Sequence, residues 1–546
     1  MIKTRNKNTL RGSTGASHLL APIAMTVLLA GCQTVTNEPE PVSGDPVGVK
    51  KTEKKLERSG KKHVKAIADE TLTPKAIPPN KQDNLWIRLQ SGLGMDLDQN
   101  HPRINTELNW YKRNKSYFSR ISTRAEPYLY FIIKEAESRQ VPLELALMPV
   151  IESAFDPFAY SQAGASGLWQ FMPATGRYYK LEQNWWYDGR RDVVAATRAA
   201  LDYMVSLHKM FGDWELALAA FNSGPGRVRN AVNKNRRAGK STRFWDLDLP
   251  AETTAYVPKM IALGKIIRDP QKYGINLPAI PNKPYFAKVQ IGGQLDLAKA
   301  AKLSDIPLDQ LYRLNPALNR WSTPPEGPHH LVVPINKAEN FRTALAALPP
   351  EKRLQWQRYT VKSGDSLGEI AQAFRTRSSL ITEANKLDSS MIRVGQTLLI
   401  PVAAKKADAY KLSSNQRLAN RQNRTVSKRY KVDYTVKSGD SFWSIAKNYN
   451  VGINELARWN NMAPRDTLKV GQSLAVWMKS TSKNKNALVR KVTYQIRSGD
   501  SLSTIANRFN VQISQIRDWN SDMNEKYIHP GQLVTLYVDV TKTKVN

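Results

Sequence analysis

The segment Tyr-Thr-Val-Lys-Ser-Gly-Asp-Ser at residues 359–366 recurs at 434–441, and a third copy, Tyr-Gln-Ile-Arg-Ser-Gly-Asp-Ser, occupies 494–501. In every copy an Ile-Ala pair begins four residues after the last Ser, and an Asn and a Gly-Gln pair follow at nearly equal intervals. The copies begin 75 and then 60 residues apart. A constant pattern at unequal spacing indicates one small module repeated three times on linkers.

Each copy predicts a βααβ unit. The alternating Tyr-x-Val run favours a strand, and the Ser-Gly-Asp-Ser turn leads into a helix that its last Ser can cap. Ser366 and Glu369 have capping-box spacing, but Ser444 and Thr504 replace the Glu in the other copies, so we expect a cap that is not uniform. Two short helices and a closing strand at 398–401 complete the unit. A unit of roughly 45 to 50 residues has little room for a buried catalytic site, so we expect it to bind rather than to react.

The copies resemble LysM domains, which bind glycans that contain N-acetylglucosamine, such as peptidoglycan and chitin. We therefore expect LysM modules at 358–402, 433–478 and 493–538. For the shared Gly and Asn residues a turn or cap role is the favoured explanation, and the residues that contact sugar stay open. The positions that match the family pattern are Gly364, Asp365, Asn385, Gly395, Gly439, Asp440, Asn460, Gly471, Gly499, Asp500, Asn520 and Gly531.

The first 31 residues predict an export signal. Four basic residues precede an apolar run at 19–30 that is too short to span a bilayer. The sequence Leu-Ala-Gly-Cys at 29–32 resembles the lipobox of bacterial lipoproteins, and Cys32 is the only cysteine of the chain. We expect cleavage before Cys32 and a lipid anchor on it, while an ordinary secretory signal with an incidental Cys is the alternative. Gln33, rather than Asp, favours an outer-membrane lipoprotein that faces the periplasm.

Composition predicts a tether and an anionic partner. Residues 32–82 are rich in Lys, Glu, Pro, Thr and Gly, as in a disordered tether. The net charge is +34, and +30 without the first 31 residues; a basic linker at 403–432 carries part of the excess. We expect the partner to be the carboxylates of peptidoglycan stems rather than nucleic acid, which an exported lipoprotein does not meet. A solvated, flexible spacer is the alternative explanation of the basic linker.

Residues 83–275 predict a predominantly α-helical domain, large enough for a core and a cleft. Gly212 and Asp213 predict the stop of one helix and the cap of the next. Apolar residues at spacings of three and four predict helices at 128–141, 143–154, 193–210 and 214–221.

Glu152 is the candidate catalytic acid of this domain. The apolar run at 147–151 leads into it, and burial of a carboxyl raises its pKa, as a general acid near neutrality requires. A helix cap or a surface position is the ordinary alternative for a single Glu. Four motifs, the first of which begins with Glu152 itself, favour catalysis: Glu-Ser-x-Phe-x-Pro from 152, Gly-Ala-Ser-Gly-Leu-Trp-Gln-Phe-Met-Pro-x-Thr from 164, Ala-Phe-Asn-Ser-Gly-Pro-Gly-Arg-Val from 220 and Glu-x-x-x-Tyr-Val from 252.

This ordered set resembles the family 1 lytic transglycosylases, which have the lysozyme-like fold of goose-type lysozyme and cleave the bond from MurNAc to GlcNAc in peptidoglycan. The resemblance implies a multidomain protein, with a predominantly α-helical lysozyme-like catalytic domain before small α+β LysM modules. It also implies that Glu152 acts first as acid and then as base, and that the MurNAc 6-hydroxyl closes a 1,6-anhydro ring without water. An ordinary glycosidase needs a second carboxylate, for which Asp156 and Asp188 stay open.

The resemblance implies a substrate-binding role for Ser161, Gln170, Met172, Asn222 and Tyr256. The hydroxyls of Ser161 and Tyr256 could orient Glu152 or a sugar N-acetyl group, and the other three side chains would line the cleft. The family usually has Tyr where this chain has Phe at 221, so we expect only packing from that side chain.

Residues 285–345 follow the register of the repeats without the Ser-Gly-Asp-Ser turn. Ala300-Ala301, Leu311 and Asn315 fall at the matching positions, and Gly327 precedes a Leu-Val-Val-Pro ending. We predict a degenerate LysM-like module with weak or lost glycan binding.

Three functions remain open: a lytic transglycosylase, a muramidase that hydrolyses the same bond with water, and a non-catalytic peptidoglycan-binding lipoprotein. We expect peptidoglycan glycan strands as the partner, a membrane contact through the lipid anchor, and a monomer. The sequence has no metal-binding cluster and no phosphate loop, so we expect no cofactor and no metal.

Overall fold

The structure is a computed structural model of the chain, and it describes residues 83–426, 429–479, 489–520 and 528–539. The predicted signal at 1–31, the anchor at Cys32 and the tether at 32–82 lie outside the described residues. Within the described ranges, no helix is both long and apolar enough to cross a membrane.

The first part of the described chain is helical, as predicted. Its core is formed by apolar side chains from nearly all of its helices. The helices predicted at 128–141, 193–210 and 214–221 are present, each with slightly shifted ends. The α-helices are Leu85–Gln90, Pro102–Arg113, Ser116–Ala125, Leu129–Ser138, Met148–Ser153, Pro173–Tyr178, Val193–Phe211, Trp214–Ser223, Pro225–Arg237 and Ala251–Arg268.

The helix predicted at 143–154 is divided in two. A 3-10 helix, Leu143–Leu147, leads into the α-helix Met148–Ser153, which has Pro149 in its first turn. Proline lacks the N–H that a continuous helix would need there, but it fits a helix start. The short second helix therefore ends just after Glu152.

The predicted boundary between the two central helices is confirmed. Gly212 has φ +69° and ends Val193–Phe211, in a left-handed conformation that glycine adopts without steric cost. The side chain of Asp213 accepts a hydrogen bond of 2.7 Å from the backbone N–H of Leu216 and so caps the next helix.

Four βααβ units follow, each with two antiparallel strands. The fold class expected from the sequence, a helical lysozyme-like domain followed by LysM modules, is confirmed by this order. The strand pairs are Phe286–Gln290 with His330–Pro334, Gln355–Thr360 with Thr397–Val402, Arg429–Thr435 with Ser473–Lys479, and Val489–Gln495 with Leu533–Asp539. The helices of the units are Leu297–Leu303, Leu308–Leu314, Leu367–Ala373, Ser378–Ala384, Phe442–Asn448, Ile453–Trp459, Leu502–Phe509 and Ile513–Trp519.

The repeated turn has the same hydrogen bonds in all three LysM modules. The Tyr hydroxyl that opens each copy donates to the Asp of its Ser-Gly-Asp-Ser segment, at 2.8 Å for Tyr359 and Asp365 and at 2.6 Å in the other two. The expectation of a cap that varies between copies is wrong. The hydroxyl oxygens of Ser444 and Thr504 accept a hydrogen bond from the backbone N–H of the cap Ser, as the carboxylate of Glu369 does in the first copy.

A conserved pattern of Asn bonds identifies the degenerate unit. Asn385 donates to Ile381 O and to Leu399 O and accepts from Leu399 N, so it joins the second helix to the closing strand. Asn315 makes the same three bonds, with Leu311 and Val332. The unit at 286–334 therefore keeps the LysM frame although it has lost the repeated turn.

Part of the basic linker is folded. The helix Ser414–Gln422 lies within it, and Tyr410 is only 2% exposed in the core of the degenerate unit. The hydroxyl of Tyr410 donates to the buried carboxylate of Asp296 at 2.9 Å, and Ala404 N donates to the same oxygen. The interpretation of this stretch as a solvated spacer is therefore wrong for 403–422, because its apolar residues complete a neighbouring core.

The second and third LysM modules share one apolar cluster. The ring of Tyr430 lies 6.3 Å from that of Trp519 and 5.6 Å from that of Tyr537, centroid to centroid. These two modules are therefore packed as a pair rather than separated by a spacer.

Candidate active site

A cleft of about 530 Å³ opens in the helical domain around Glu152. It contains every residue that the sequence assigned to catalysis or substrate binding in this domain. Its lining is Ile151, Glu152, Ser161, Ala163, Ala165, Gln170, Phe171, Met172, Thr175, Tyr203, Phe221, Asn222, Ser223, Gly224, Glu252, Tyr256 and Lys259.

The end of a short helix presents Glu152 to this cleft. Ala154 and Phe155 both have left-handed backbone conformations, at φ +51° and +54°, which stop the helix and turn the chain sharply. Ser153 Oγ donates to Leu168 O at 2.9 Å, and Phe155 is fully buried. The helix end is therefore tied to the Gly-Leu-Trp-Gln segment that forms another part of the site.

The carboxyl of Glu152 has a raised pKa of about 7. Burial is the largest cause, and the negative charge of Glu252 acts in the same direction. The Tyr256 hydroxyl donates to Glu152 Oε1 at 2.6 Å and lowers the pKa in part, because it stabilises the carboxylate. Glu152 is therefore held close to the point where it can both give and take a proton at neutral pH.

Glu252 is a second carboxylate in the cleft; it begins the Glu-x-x-x-Tyr-Val motif, but the sequence alone did not predict a role for it. It lies one helical turn before Tyr256 on Ala251–Arg268, so both side chains share a face. Asn222 Nδ2 donates to Glu252 Oε1 at 3.4 Å, and Thr253 Oγ1 donates to Asn222 Oδ1 at 2.8 Å. The four-residue spacing from Tyr256 was the signal that could have found Glu252.

The two acids left open as a second carboxylate do not line this cleft. Asp188 is buried in ion pairs with Arg190 and Arg191, at 2.9 and 2.7 Å. Asp156 lines a different cavity and accepts a hydrogen bond from Phe158 N at 3.0 Å. Both candidates are therefore wrong as partners of Glu152, because ion pairs hold Asp188 and because Asp156 faces another cavity.

The loop at 159–172 supplies three of the predicted substrate-binding residues. Ser161 Oγ accepts the Ala165 N–H at 2.9 Å, and Gln170 Nε2 donates to Gly167 O at 2.7 Å. Met172 is 41% exposed and precedes the helix Pro173–Tyr178. The side chains of Ser161 and Gln170 thus stabilise the loop by hydrogen bonds and also line the cleft.

Gly167 is required by the packing of this loop. It has φ +85°, and a Cβ at this position would lie 2.3 Å from Arg190 O. Arg190 in turn donates from Nη1 to Gly164 O at 2.7 Å. The ion-paired Asp188 segment therefore supports the loop from behind.

Phe221 packs against two neighbouring rings, as expected. Its centroid lies 5.5 Å from that of Tyr203 and 6.3 Å from that of Phe171. All three rings also line the cleft.

No group of three or more His, Cys, Asp and Glu that could hold a metal ion occurs within the residues that the structure describes.

Comparison with protein families assigns the domains in the same order along the chain. The family described as Transglycosylase SLT domain matches residues 130–244, and the Lytic transglycosylase MltD, LysM-like domain matches 285–350. The LysM domain family matches 359–401, 434–477 and 494–536.

Membrane-bound lytic murein transglycosylase D of Escherichia coli strain K12 is 40% identical over 400 residues, which cover 70% of this chain and 85% of the relative. The chain belongs to the membrane-bound lytic murein transglycosylase D family. As a member of this family, the protein is a lytic transglycosylase of peptidoglycan turnover that carries LysM binding modules.

Two further similarities are more limited in extent. A tributyltin chloride resistance protein of Alteromonas sp. strain M-1 is 43% identical over 187 residues, or 34% of this chain and 84% of that protein. The crystal structure of an inactive mutant of the lytic transglycosylase Slt from Pseudomonas aeruginosa is 26% identical, covers 27% of this chain and 24% of that one, and has a TM-score of 0.20.

Proposed function

We propose that Glu152 cleaves the β-1,4 bond from MurNAc to GlcNAc and that the product carries a 1,6-anhydro-MurNAc end. The observation that carries the proposal is the Glu152 carboxyl in the cleft, with a pKa of about 7 and a hydrogen bond from Tyr256. A group with this pKa is protonated in about half of the molecules at pH 7. The acid and base forms needed by a single-carboxyl mechanism are thus both accessible.

In the first step the protonated Glu152 donates its proton to the glycosidic oxygen. The bond from MurNAc C1 to that oxygen breaks, the electron pair stays on the oxygen, and GlcNAc leaves with a 4-hydroxyl. Positive charge develops at C1, where the oxygen of the MurNAc N-acetyl group assists. The Tyr256 hydroxyl donates to the carboxylate that remains and stabilises it.

In the second step the MurNAc 6-hydroxyl oxygen bonds to C1 and closes the anhydro ring. Its proton passes to the carboxylate of Glu152, which restores the starting acid. Proton transfer of this kind supplies a rate factor of roughly 10² to 10⁴, so positioning in the cleft must provide the rest. Water is not consumed.

The other cleft residues are proposed to bind and position the glycan. Ser161 and Gln170 hold the loop whose surface the sugar would meet, and Met172 offers an exposed apolar contact. Asn222 is held between Glu252 and Thr253, so its amide is fixed in orientation. Tyr256 is proposed to act on Glu152 rather than on the sugar, through its hydrogen bond to the carboxylate.

A muramidase activity is the second candidate, and Glu252 favours it. A second carboxylate in the same cleft could activate a water molecule for attack on C1, as in two-carboxylate glycosidases. The two activities differ in product, since hydrolysis leaves a reducing MurNAc end. The non-catalytic alternative is not retained, because the chain belongs to a lytic transglycosylase family.

The remaining parts of the chain are assigned to targeting. We propose that Cys32 is acylated after cleavage of residues 1–31, that 32–82 tether the enzyme to the outer membrane, and that it faces the periplasm as a monomer. The LysM modules hold peptidoglycan glycan strands, and the family name of the Escherichia coli relative, a membrane-bound enzyme, supports this location.

Digestion of purified sacculi followed by mass spectrometry of the muropeptides tests the reaction. The wild type should give anhydro ends, which are lighter than reducing ends by one water. The Glu152→Gln variant should give none. Glu126→Gln, an exposed carboxyl of the same domain, is the matched control and should digest normally. Reducing ends throughout the digest would replace the transglycosylase mechanism with the muramidase one.

A further inference from the structure

The second LysM module contacts the loop beside the catalytic cleft. The Tyr160 hydroxyl donates to Asp466 Oδ2 at 3.0 Å, although the two residues are 306 positions apart in the chain. A Cβ built on Gly164 would lie 3.7 Å from the Cβ of Ala463, which is itself only 3% exposed. The 463–466 segment of the module is therefore seated on the loop at 160–166.

This loop has two occupied sides. Ser161, Ala163 and Ala165 line the cleft, while Tyr160 and Gly164 meet the module. The loop is closed by reciprocal bonds, since Ser161 N donates to Ala165 O and Ala165 N donates to Ser161 Oγ, both at 2.9 Å. Only one or two residues of the loop therefore separate the module contact from the cleft wall.

The module side of the contact is built for this partner. Asp466 Oδ2 also accepts the Ala463 N–H at 2.8 Å, so the carboxylate is oriented before it meets Tyr160. Counted from the shared Asn, the first LysM module has Met391 at this position, and that side chain is 83% exposed. The second module thus has a hydrogen-bonding Asp at a position where the first module has an exposed Met.

The exposed charges next to this contact match the substrate. Arg465 and Lys469 lie on the same segment of the second module and are exposed. Peptidoglycan stems carry carboxylates, which attract cations at an open surface. A strand that leaves the cleft over this loop would meet a basic edge.

We propose that the second LysM module extends the catalytic cleft, so that one glycan strand binds the cleft and this module at the same time. The proposal rests on the proposed function, because it takes the glycan strand as the substrate. Binding energy from the remote module would then help to position the scissile bond in the cleft. A long strand could occupy both linked sites and gain affinity from them, whereas a short glycan could occupy only one. Tyr160 and Asp466 act as positioning residues.

The first test is Tyr160→Phe in the full chain, which removes the hydroxyl and keeps the ring. The ratio of kcat/KM on long uncrosslinked glycan strands to kcat/KM on a short soluble glycan should fall about fivefold, the effect of one net hydrogen bond. The control is Tyr128→Phe, which removes another hydroxyl bond between domains, to Arg313 O at 2.8 Å, outside the Glu152 cleft. Its ratio should stay at the wild-type value.

The opposite outcomes are distinct. An equal loss on long and short glycans would mean that Tyr160 only supports the loop, and a gain on long strands would mean that the module blocks the cleft. Either result, or an unchanged ratio, overturns the proposal. Product masses from the same reactions keep the tests separate, because reducing ends would contradict the transglycosylase mechanism while leaving the ratio meaningful.

The second test traps the contact without using activity. In a Cys32→Ser chain, Gly164→Cys with Ala463→Cys should form a disulfide, because the 3.7 Å separation lies within the usual Cβ spacing of about 3.5–4.5 Å. The control pairs Gly164→Cys with Asp388→Cys, the corresponding position of the first module, and should keep free thiols. Gly164 has φ +88°, where a side chain is strained, so both chains must first show the cooperative unfolding of the wild type. Free thiols in both folded chains, measured by mass after alkylation, would then show that the module does not dock there.

Discussion

The hydroxyl of Tyr256 lies 2.6 Å from Oε1 of Glu152, in a cleft where burial and the charge of Glu252 both raise the pKa of the Glu152 carboxyl. One neighbour thus favours the carboxylate and the other favours the acid. Their opposition gives two substitutions with opposite expected effects on the pH profile.

Tyr256→Phe should move the alkaline limb of the pH profile of kcat/KM upward. The hydrogen bond from Tyr256 lowers the pKa of Glu152, so its loss raises that pKa and keeps the acid form to higher pH. A hydrogen bond to a charged group contributes about 1.5–3 kcal/mol and one pH unit corresponds to about 1.4 kcal/mol, so the limb should move by about one to two units. A downward shift, measured on a soluble glycan, would contradict this role.

Glu252→Gln should move the same limb downward. Removal of a like charge lowers the pKa of Glu152, so the proton is lost at a lower pH. The variant also separates the two candidate reactions. If Glu252 acts as the base that activates water, the Glu252→Gln variant should no longer form reducing ends. If the reaction is a transglycosylation, the variant should still form anhydro ends.

Asp188→Asn should destabilise the catalytic domain by about 3–5 kcal/mol, because it leaves Arg190 and Arg191 buried without their carboxylate. The pKa of Asp188 is lowered in the fold: burial opposes this, but the two guanidinium groups prevail. A carboxyl with a depressed pKa adds stability above its unfolded pKa, about 3.9, and loses it as the pH falls further.

The measurement for Asp188 is chemical unfolding between pH 2 and pH 7. The wild type should lose more stability on acidification than the variant. Asp98→Asn, which removes an exposed ion pair with Arg268, is the control and should change little. Equal acid sensitivity of wild type and Asp188→Asn would contradict the linkage.

Asn460→Ala should open the second LysM module locally. Asn460 is 1% exposed and bonds to Leu456 O, Ala475 O and Ala475 N, so its removal leaves buried backbone groups unpaired at a cost of about 3 kcal/mol. Hydrogen exchange should lose protection in the strand Ser473–Lys479. Asn385→Ala is the matched comparison and should cost less, because Asn385 and its partner Leu399 are more exposed.

Truncation should separate glycan binding from stability. A chain that ends at 426 keeps Tyr410 in the degenerate unit, so its catalytic domain and degenerate unit should stay folded while it binds sacculi more weakly. A chain that ends at 358 exposes Asp296 and its core, and its melting temperature should fall. Equal sacculus binding by the full chain and the chain ending at 426 would place the binding outside the second and third modules.

Local features of the fold were predictable from sequence. The stop at Gly212 and cap at Asp213 depend on neighbouring residues alone, and the register that identified Asn315 as a LysM position is a local count. The motifs also singled out Glu152, which lies in the cleft. These features are determined within about one helical turn or one repeat.

The features that sequence missed depend on distant contacts. Glu252 enters the cleft only because its helix packs across the one that carries Asn222. The contact of Tyr160 with Asp466 and the burial of Tyr410 join segments that are more than one hundred residues apart. Hydrophobic periodicity reports which residues are buried, but it does not report against which partner.

The bond from Tyr410 to Asp296 has a consequence for the order in which the chain can fold. The closing strand of the degenerate unit ends at Pro334, yet the core of the unit lacks the Tyr410 ring until 76 further residues have been added. Domains generally fold as they emerge, from the N-terminal side. Here the core of the degenerate unit is closed only after the first LysM module has been made, although that module follows the unit in the sequence.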